Sequence, residues 1–439
     1  MKLSRKITYI EAVMMGIGGM FGLAIFVFPG TVAKMIGSWE VLTWPVAGLL
    51  MIPVGLIYSE LSSAFKVNGG PAVYTRLVFG DSFISKLLSF LTLMGFFVGW
   101  TIAIVIGAIA APMYLSFSFP MLENFYAILP PIMVIAILLI SISGYRRASR
   151  VNYALTAALL AVTIFYISTI SSRGELSNII PSNSLNISSF FSSIGIVIGA
   201  YGAWVGIPSL YKEIRDPERV VPKATAVSII ATAIVYTALV ISLHAVVPYS
   251  YFLTNPKAQT SPFSFALEIL GSNQGIKVIF SMAVFLAIAT TMLIGVLSLS
   301  ASINSGSEQG VIPISISKYD KKLGDKHIIS TLIAAIPSVV LSMVPQYFFQ
   351  LMVIGLVIGT DLPYLINVSS YLYYKYKGMD KIADYKLKHG VFLGLLSFVI
   401  IGISALNLSM LELFWSGVTV AILCALFVLR EFLSKREKA

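Results

Sequence analysis

The sequence predicts an all-α membrane protein with twelve transmembrane helices, of which the first and the sixth are broken. Three observations lead to this fold class. Of the 439 residues, 57% are hydrophobic and 11% are charged, with a mean hydropathy of +0.90, whereas soluble domains are about one quarter charged. Apolar stretches long enough to cross a bilayer recur along the chain. Two of these stretches contain glycine and proline at a density that disfavours an intact helix.

A transmembrane helix needs about 17 to 25 mostly apolar residues. The predicted spans lie at 9–36, 40–65, 84–114, 126–143, 151–171, 188–211, 224–248, 275–304, 328–344, 346–374, 388–407 and 409–433. No separate soluble domain is visible. The longest polar connections are 249–273, where a short surface helix is expected, and 305–327. Each of these two connections is compatible with a gating element or with a simple connecting loop.

The first span contains the sequence G-I-G-G-M-F-G-L-A-I-F-V-F-P-G between Gly16 and Gly30. Glycines let the backbone leave its helical hydrogen bonds, and irregular backbone in a membrane is tolerated only against protein or a water-filled cavity. The freed N–H and C=O groups can then act as ligands. Close helix packing is the alternative interpretation, because Gly18 and Gly22 form a G-x-x-x-G motif.

The sixth span repeats this pattern. Between Ile194 and Ile207 it reads I-G-I-V-I-G-A-Y-G-A-W-V-G-I, and Pro208 follows. Interrupted helices at corresponding positions of two halves are the best sequence indication of a transporter binding site near the membrane midplane. The repetition therefore favours opened helices over packing alone.

The basic residues indicate the orientation of the chain. If the N-terminus is cytoplasmic, only Lys34, Arg173, Lys257 and Lys277 of the 30 basic residues lie on the outer side. The positive-inside rule then places both termini in the cytoplasm, and the cell membrane is the expected location. This distribution explains the net charge of +11 without a nucleic-acid partner, although we expect the basic loops to attract anionic lipids.

Several other classes are disfavoured by composition. No small-residue cleavage site follows the first apolar run, so no removable signal peptide is expected. With one cysteine, Cys424, and three scattered histidines, neither a disulfide framework nor a transition-metal site is expected, and no cofactor is indicated. No Ser/His/Asp set, paired carboxylates or H-E-x-x-H motif appears, which argues against an enzyme.

Four stretches resemble motifs of the amino acid/polyamine/organocation permeases. Phe21–Gly30 (F-G-L-A-I-F-V-F-P-G) is similar to the family's I-G-S-G-I-F-x-x-P-G in the first helix. Tyr58–Tyr74 resembles the E-L-x-x-x-x-P-x-x-G-G-x-Y-x-Y loop after the second helix. Glu213–Ala224 (E-I-R-D-P-E-R-V-V-P-K-A) is close to E-V-x-N-P-x-R-x-x-P-x-A after the sixth helix. Gly359–Tyr364 (G-T-D-L-P-Y) is similar to G-T-L-x-x-Y in the tenth helix.

The resemblance implies a LeuT-like fold of two inverted five-helix repeats, with substrate held at the breaks in helices 1 and 6. On this basis the first repeat is 1–175 and the second is 176–378. Residues 379–439 would supply helices 11 and 12 and a cytoplasmic tail. The sequence does not indicate an oligomeric state.

The two breaks are the predicted substrate site. Half-helix N-termini expose unpaired N–H groups and a partial positive charge, so the amides around Gly22, Leu23 and Ala24 are expected to bind a substrate carboxylate. Carbonyls near Gly199 to Gly202 would accept from an ammonium group. The full predicted set is Gly18, Gly19, Met20, Phe21, Gly22, Leu23, Ala24, Gly199, Ala200, Tyr201, Gly202 and Trp204.

The sequence departs from the resembled family at both breaks. Leu23 and Ala24 replace the Ser-Gly of G-S-G, and Val205 stands where an acid is frequent. Loss of that acid favours a neutral amino acid over arginine or lysine as the substrate. Four aromatic residues lie near the breaks: Phe21, Phe26, Tyr201 and Trp204. They would either line and gate the pocket or be packing or lipid-facing residues.

Asp361 lies in the middle of the predicted helix 10, where the family usually has an apolar residue. An intramembrane carboxylate costs at least about 2.5 to 3.5 kcal/mol on insertion scales. We expect Asp361 to face the transport path, where it either takes up a proton or contacts a cationic part of the substrate. The alternative is a structural role in the helix opened by Pro363.

The coupling ion is predicted to be a proton, with sodium as the alternative. Helix 5 lacks the lysine that replaces sodium in some proton-coupled relatives, and Ala158 is nearest to its expected place. A sodium site would need carbonyls between Gly16 and Gly19 together with the hydroxyls of Thr290 and Thr291. Such hydroxyls more often bond their own helix backbone.

The leading hypothesis is a secondary active transporter for an amino acid, working as a symporter or an exchanger. The alternative substrate is a polyamine or other organic cation that Asp361 would bind. A non-transporting amino acid sensor is the second class, but it predicts an added signalling domain that the short tail after Arg430 does not offer. A channel is disfavoured because no filter sequence repeats.

Overall fold

In the computed structural model, the described part of the chain comprises residues 6–22, 24–181, 183–313, 315–322, 327–344, 357–406 and 410–436. These residues are mainly helical. No strand forms among them, and an isolated bridge pairs Ile7 with Ile214. The predicted all-α fold class is therefore confirmed.

The described helices are numbered in chain order. They are α1 (Tyr9–Met20), α2 (Ala24–Ile36), α3 (Glu40–Phe65), α4 (Tyr74–Phe79), α5 (Phe83–Ser116), α6 (Leu129–Ile142), α7 (Tyr145–Ser171), α8 (Ile187–Ile198), α9 (Gly206–Ser209), α10 (Pro217–Val246), α11 (Tyr249–Thr254), α12 (Pro256–Thr260), α13 (Pro262–Ile269), α14 (Gln274–Glu308), α15 (Ser315–Lys322), α16 (Ile328–Leu341), α17 (Leu362–Tyr376), α18 (Gly390–Leu406) and α19 (Met410–Arg436). Short 3₁₀ turns and one π-helical turn, Val357–Asp361, join them.

Hydropathy located the helices better than it located their ends. Helix α7 begins at Tyr145 and not near residue 151, and α10 begins at Pro217 and not near 224. Both helices start with polar, charged turns, which an apolar window excludes, and proline is well suited to the first helical position. The predicted span at 346–374 is described only from residue 357, and the one at 409–433 from residue 410.

Seven described segments are long and apolar enough to cross a bilayer. One of them, Ala24–Phe65, contains both α2 and α3. Shorter apolar helices occur at Tyr9–Met20, Leu129–Ile142, Ile328–Leu341 and Gly390–Gly402. The chain is thus a multi-pass membrane protein, while the number twelve stays a prediction.

Helix α1 is enclosed by other helices. It contacts α7, α10 and α14 as well as the 199–205 segment, while α3 packs along α10 and α14 packs along α5. Every residue from Met15 to Met20 is buried. Irregular backbone after α1 is therefore surrounded by protein, which is the condition for its stability in a membrane.

Ion pairs at and near helix ends mark one end of the helix bundle, here called the basic face. Nζ of Lys66 is 2.7 Å from Oδ2 of Asp384, and Nε of Arg146 is 3.5 Å from Oε2 of Glu213. These pairs join segments that the charge distribution had assigned to the same side of the membrane.

The other end of the bundle, here called the opposite face, is covered by α11, α12 and α13, which together form the 249–269 segment. Phe252, Ala258 and Phe263 of this segment are fully buried. Nζ of Lys34 on α2 donates to Oε1 of Gln259 at 3.3 Å. Helix α13 (Pro262–Ile269) is the short helix expected in this connection, and two further short helices, α11 and α12, precede it.

Candidate functional site

The first interruption lies between α1 and α2. Helix α1 ends at Met20 and α2 begins at Ala24, so Phe21 and Gly22 lie between the two helices. Leu23 belongs to the same connection but lies outside the described residues. The amide of Gly22 donates to the carbonyl of Met20 at 2.7 Å. Of the amides predicted to bind a carboxylate, that of Gly22 already donates to a backbone carbonyl in this conformation. The amide of Ala24 belongs to the first residue of α2.

Side-chain hydroxyls satisfy the carbonyls at the end of α1. Oγ1 of Thr291 on α14 lies 2.8 Å from the carbonyl oxygen of Gly19 and 3.2 Å from that of Gly18. The hydroxyl of Tyr236 on α10 donates to the carbonyl of Met20. Because the last carbonyls of a helix have no intrahelical donors, these two side chains replace missing bonds and hold α1 from two sides.

The start of α2 presents hydrogen-bond donors, whereas the end of α1 presents acceptors. The first amides of a helix have no intrahelical acceptor, and they lie at the positive end of the helix dipole. The amides of Ala24, Ile25 and Phe26 therefore form a group of donors at the interruption. The buried rings of Phe21 and Phe26 are 6.2 Å apart between centroids. The arrangement can hold an anionic group beside an aromatic wall.

The second interruption keeps its helical winding. Gly199–Val205 forms a 3₁₀ helix between α8 and α9, so the predicted opening is a tighter turn in this conformation. The hydroxyl of Tyr201 donates to the carbonyl of Trp44 on α3 at 2.8 Å. The hydroxyl of Tyr364 on α17 donates to the carbonyl of Gly202 at 3.2 Å.

The two interrupted segments are in contact. A Cβ atom added to Gly19 would lie 3.2 Å from both the Cβ atom and the carbonyl oxygen of Ala203. Glycine therefore permits the close approach of the two backbones. Ala200 is also buried here. The fold brings the predicted residues of both helices into one region.

Three aromatic rings surround the second interruption. The rings of Trp204 and Tyr364 are stacked, with centroids 6.0 Å apart and an interplanar angle of 9°. Tyr58 on α3 packs edge-on against both of them, at 5.2 Å and 5.9 Å. The indole N–H of Trp204 is buried and has no hydrogen-bond acceptor among the described residues. This donor is therefore available to a ligand or a water molecule.

Asp361 is the last residue of the π-helical turn before α17 and is 9% exposed. No described hydrogen bond or ion pair reaches its carboxyl group. The preceding residue, Thr360, has its Cγ2 atom 4.0 Å from the position of a Cβ atom on Gly202. The π-helical turn therefore lies beside the second interruption, although residues 345–356 are outside the described part of the chain.

The two threonines predicted for a sodium site make different bonds. The hydroxyl of Thr291 bonds the end of α1, whereas that of Thr290 donates to the carbonyl of Ala287 in its own helix at 2.8 Å. The amide group of Asn152 on α7 donates to the carbonyl of Thr290 at 3.3 Å. Thr156 Oγ1 in turn lies 3.4 Å from Oδ1 of Asn152. A buried polar cluster thus joins α7 to α14 beside α1.

Sequence reasoning missed Asn152, Thr156 and Tyr236. Asn152 and Thr156 are four residues apart in an apolar helix, so they share one face, and this spacing was a usable signal. Ala158, the position considered in helix 5, has its side chain on the exposed face of α7. Nothing in the sequence around Tyr236 distinguishes it from a lipid-facing tyrosine.

An apolar helical protein with a protein-enclosed, interrupted helix has the architecture of a membrane transporter. The sequence profile of the amino acid permease family matches residues 7–434. The chain therefore belongs to the amino acid permease family. This membership places it among transporters and not among enzymes.

Curated relatives carry transporter names. The chain is 24% identical over 345 residues to "Cationic amino acid transporter 7, chloroplastic" of Arabidopsis thaliana, which is 73% of this chain and 57% of the relative. It is 23% identical over 361 residues to "Branched-chain amino acid permease BcaP" of Bacillus subtilis (strain 168), covering 78% and 76%. "Cationic amino acid transporter 5" of Arabidopsis thaliana is 25% identical over 353 residues, covering 78% and 60%. The chain spans less than two thirds of these plant relatives.

Proposed function

We propose that the chain is a secondary active transporter that carries an amino acid by alternating access. The observation that carries this proposal is the interruption between α1 and α2, where first-turn amides lie beside hydroxyl-capped carbonyls inside the protein. The proposed architecture has twelve spans, with inverted repeats at 1–175 and 176–378 and two further helices in 379–439. Helices 1 and 6 correspond in this arrangement, as their glycine-rich interruptions suggest.

The substrate carboxylate is proposed to bind the first turn of α2. The amides around Leu23 and Ala24 supply donors and a positive helix end, and release of the Gly22 amide from Met20 would add another. Gly18, Gly19 and the ring of Phe21 complete this side of the proposed site.

The substrate ammonium group is proposed to bind carbonyls of the Gly199–Gly202 segment, in the same 3₁₀ helix as Tyr201 and Trp204. A carbonyl oxygen has two lone pairs, so the bond from Tyr364 leaves the Gly202 carbonyl able to accept a second donor. A neutral amino acid is favoured, because Val205 supplies no negative charge for a cationic side chain.

A proton at Asp361 is the proposed coupling ion. A charged carboxylate without a described partner is costly at membrane depth, and protonation removes that charge. Sodium bound by Gly16, Gly19, Thr290 and Thr291 is the alternative. Proton coupling is favoured over it because the buried carboxyl group of Asp361 has no partner among the described residues.

A cationic substrate is the second candidate. The observation that favours it is the carboxyl group of Asp361, which has no partner among the described residues and belongs to the π-helical turn whose Thr360 lies near Gly202. This group could pair with the side-chain charge of an amino acid or polyamine. The names of the Arabidopsis relatives agree with this candidate, and that of the Bacillus relative agrees with a neutral substrate.

The proposed location is the cell membrane, with both termini in the cytoplasm. The support is the distribution of basic residues, since Lys66 and Arg146 belong to the basic face and the positive-inside rule assigns such a face to the cytoplasm. Contacts with anionic lipid headgroups are proposed for the same face.

Uptake into proteoliposomes tests these proposals. Labelled leucine, alanine, lysine and putrescine are each supplied with a proton gradient or a sodium gradient imposed separately. We expect the proton gradient alone to drive accumulation of leucine or alanine. Uptake of lysine or putrescine alone would favour the second candidate. Exchange that responds to neither gradient would exclude both coupling arrangements, and absence of transport for every probe would refute the proposed activity.

A further inference from the structure

A buried acid–base pair lies at the opposite face, apart from the interrupted helices. Nε2 of His244 on α10 is 2.9 Å from Oε2 of Glu40, the first residue of α3. Both side chains have 0% exposure. Nε1 of Trp44, one turn further along α3, donates to Oε1 of Glu40 at 2.9 Å. The pair therefore joins α3 to α10 in a site closed to water.

Hydrogen-bond geometry limits the pair to two states that differ by one proton. The indole of Trp44 can only donate, so Oε1 of Glu40 is an acceptor, and one hydrogen lies between Oε2 and Nε2 of His244. With no further proton, the pair carries one negative charge. A proton on Nδ1 of His244 makes the pair neutral. This nitrogen is buried and has no hydrogen-bond partner among the described residues.

Each of the two protonation states of the pair has an energetic cost. The first keeps a net charge away from water, and the second leaves a buried N–H group without an acceptor. Because both states are penalised, a modest change in the surroundings can move the proton on or off. A pair with a complete set of partners would lack this sensitivity.

The 249–269 segment separates the pair from the solution at the opposite face. The buried ring of Phe252 on α11 has its centroid 5.4 Å from that of the His244 imidazole. The carbonyl of Ala245 accepts from the amide of Glu175 at 2.8 Å and from Nδ2 of Asn178 at 3.1 Å. Movement of these covering segments would give water access to Nδ1.

The other titratable groups on the surrounding elements do not bond to the pair among the described residues. The described hydrogen bonds and ion pairs connect none of them to Glu40 or His244, and the charged ones are exposed. They are Lys34 on α2, Arg173 and Glu175 after α7, Tyr166 on α7, Tyr236 on α10, Tyr249 and Tyr251 on α11, Lys257 on α12 and Glu268 on α13. Lys257 and Glu268 pair with each other at 3.1 Å.

Trp44 connects the pair to the first interruption. Its ring packs edge-on against Tyr236 with centroids 5.2 Å apart. Tyr236 donates to the carbonyl of Met20 and packs against Phe21 at 5.3 Å. The hydroxyl of Tyr201 in the second interruption donates to the carbonyl of Trp44. A change in the net charge of the pair changes the strength of the bond between Glu40 and Trp44. Trp44 contacts both interrupted segments through these tyrosines.

We propose that Glu40 and His244 form a proton-binding site that takes up one proton from the opposite face and transmits its charge state through Trp44 and Tyr236 to the substrate site. The proton adds to the lone pair of Nδ1 of His244 when the 249–269 segment opens, and it leaves from the same atom. The site is separate from Asp361. Its link to substrate rests on the proposed transport function, whereas its proton binding does not.

Nitrogen-15 NMR of histidine-labelled protein in lipid bilayers tests the proton site directly. The chain has three histidines, and the signal of the exposed His389 is followed for comparison. Loss of a signal in His244→Gln assigns it. As the pH falls from about 9 to about 5, we expect Nδ1 of His244 to become protonated, and we expect Glu40→Gln to move the midpoint by at least about one pH unit. A constant state of Nδ1, or a midpoint that Glu40→Gln leaves in place, would overturn the proposal.

Uptake of labelled leucine tests the link to transport. The measured quantity is the ratio of uptake at external pH of about 5.5 to that at about 7.5, for wild type, His244→Gln and the matched control His389→Gln. We expect the ratio to fall toward one in His244→Gln and to keep its wild-type value in His389→Gln. A wild-type ratio in His244→Gln would overturn the link. If wild type itself shows no proton-driven uptake, the proposed proton coupling and the link fail together, and the NMR titration still decides the proton site.

Discussion

The two interrupted helices are stabilised in different ways. Between α1 and α2 one helix ends and another begins, and the hydroxyls of Thr291 and Tyr236 bond the carbonyls that are left over. The 199–205 segment instead stays wound as a 3₁₀ helix, and Tyr364 adds one bond to it. The first interruption therefore offers the first-turn amides of α2 to a ligand. The second offers an aromatic wall with the indole N–H of Trp204, which has no acceptor in the described part of the chain.

The difference predicts unequal tolerance of substitution at the glycines. In Gly18→Ala the new Cβ atom would overlap Oγ1 of Thr156, and overpacking of this kind costs about 1–3 kcal/mol. In Gly202→Ala the nearest atom is the Tyr364 hydroxyl at 3.2 Å, so the expected cost is below about 1 kcal/mol. Thermal unfolding in detergent and leucine uptake measure both effects.

A compensating substitution sharpens this prediction. Thr156→Ala in the Gly18→Ala background removes the overlapping hydroxyl and is expected to restore most of the lost stability. Equal losses in Gly18→Ala and Gly202→Ala would contradict the difference between the two segments.

The second prediction concerns the charge beside the second interruption. Asp361→Asn keeps the size of the side chain but cannot take up a proton, so proton-driven accumulation is expected to fall by at least about tenfold if Asp361 is the coupling site. Asp384→Asn is the matched control, because Asp384 forms a partly exposed ion pair with Lys66 and such pairs contribute little. Full gradient-driven uptake by Asp361→Asn would refute the coupling role.

The third prediction compares the two adjacent threonines of α14. Thr291→Val removes the hydroxyl that bonds the Gly19 carbonyl, so a loss of about 1 kcal/mol in the free energy of unfolding is expected. Thr290→Val removes only a bond to its own helix, and a smaller loss is expected. The sodium dependence of uptake is measured in wild type and in both variants, and it is expected to be absent from all three. Sodium dependence in wild type that disappears in both variants would favour the alternative coupling ion.

The smallest expected effects come from two tyrosine hydroxyls. Tyr236→Phe removes a donor to the carbonyl of Met20 at a helix end, whereas Tyr364→Phe removes a donor to Gly202 inside a wound segment. Each substitution is expected to cost about 1 kcal/mol or less, with the larger loss in Tyr236→Phe. Thermal unfolding checks the order, and a larger loss in Tyr364→Phe would mean that the second segment depends more on its side-chain bond.

Much of the fold could be predicted from the sequence, because the location of a helix follows from the local composition of the chain. Apolar stretches predicted α3, with the same bounds, and α5 and α14 within a few residues. The glycines near Gly18 predicted that α1 would end inside the protein. The sequence could not show that the segment near Gly202 stays wound, because glycine permits both conformations and neighbouring rings select one.

The amino-acid sequence by itself determined the membrane class, the family motifs and the positions of the two interruptions, because hydropathy and glycine content act along the chain. Only the tertiary structure decided which side chains complete the site. Asn152, Thr156, Tyr236 and Thr291 come from three helices, and His244 meets Glu40 across 204 residues of chain. Buried polar groups require hydrogen-bond partners, and packing between distant helices decides which partners are within reach.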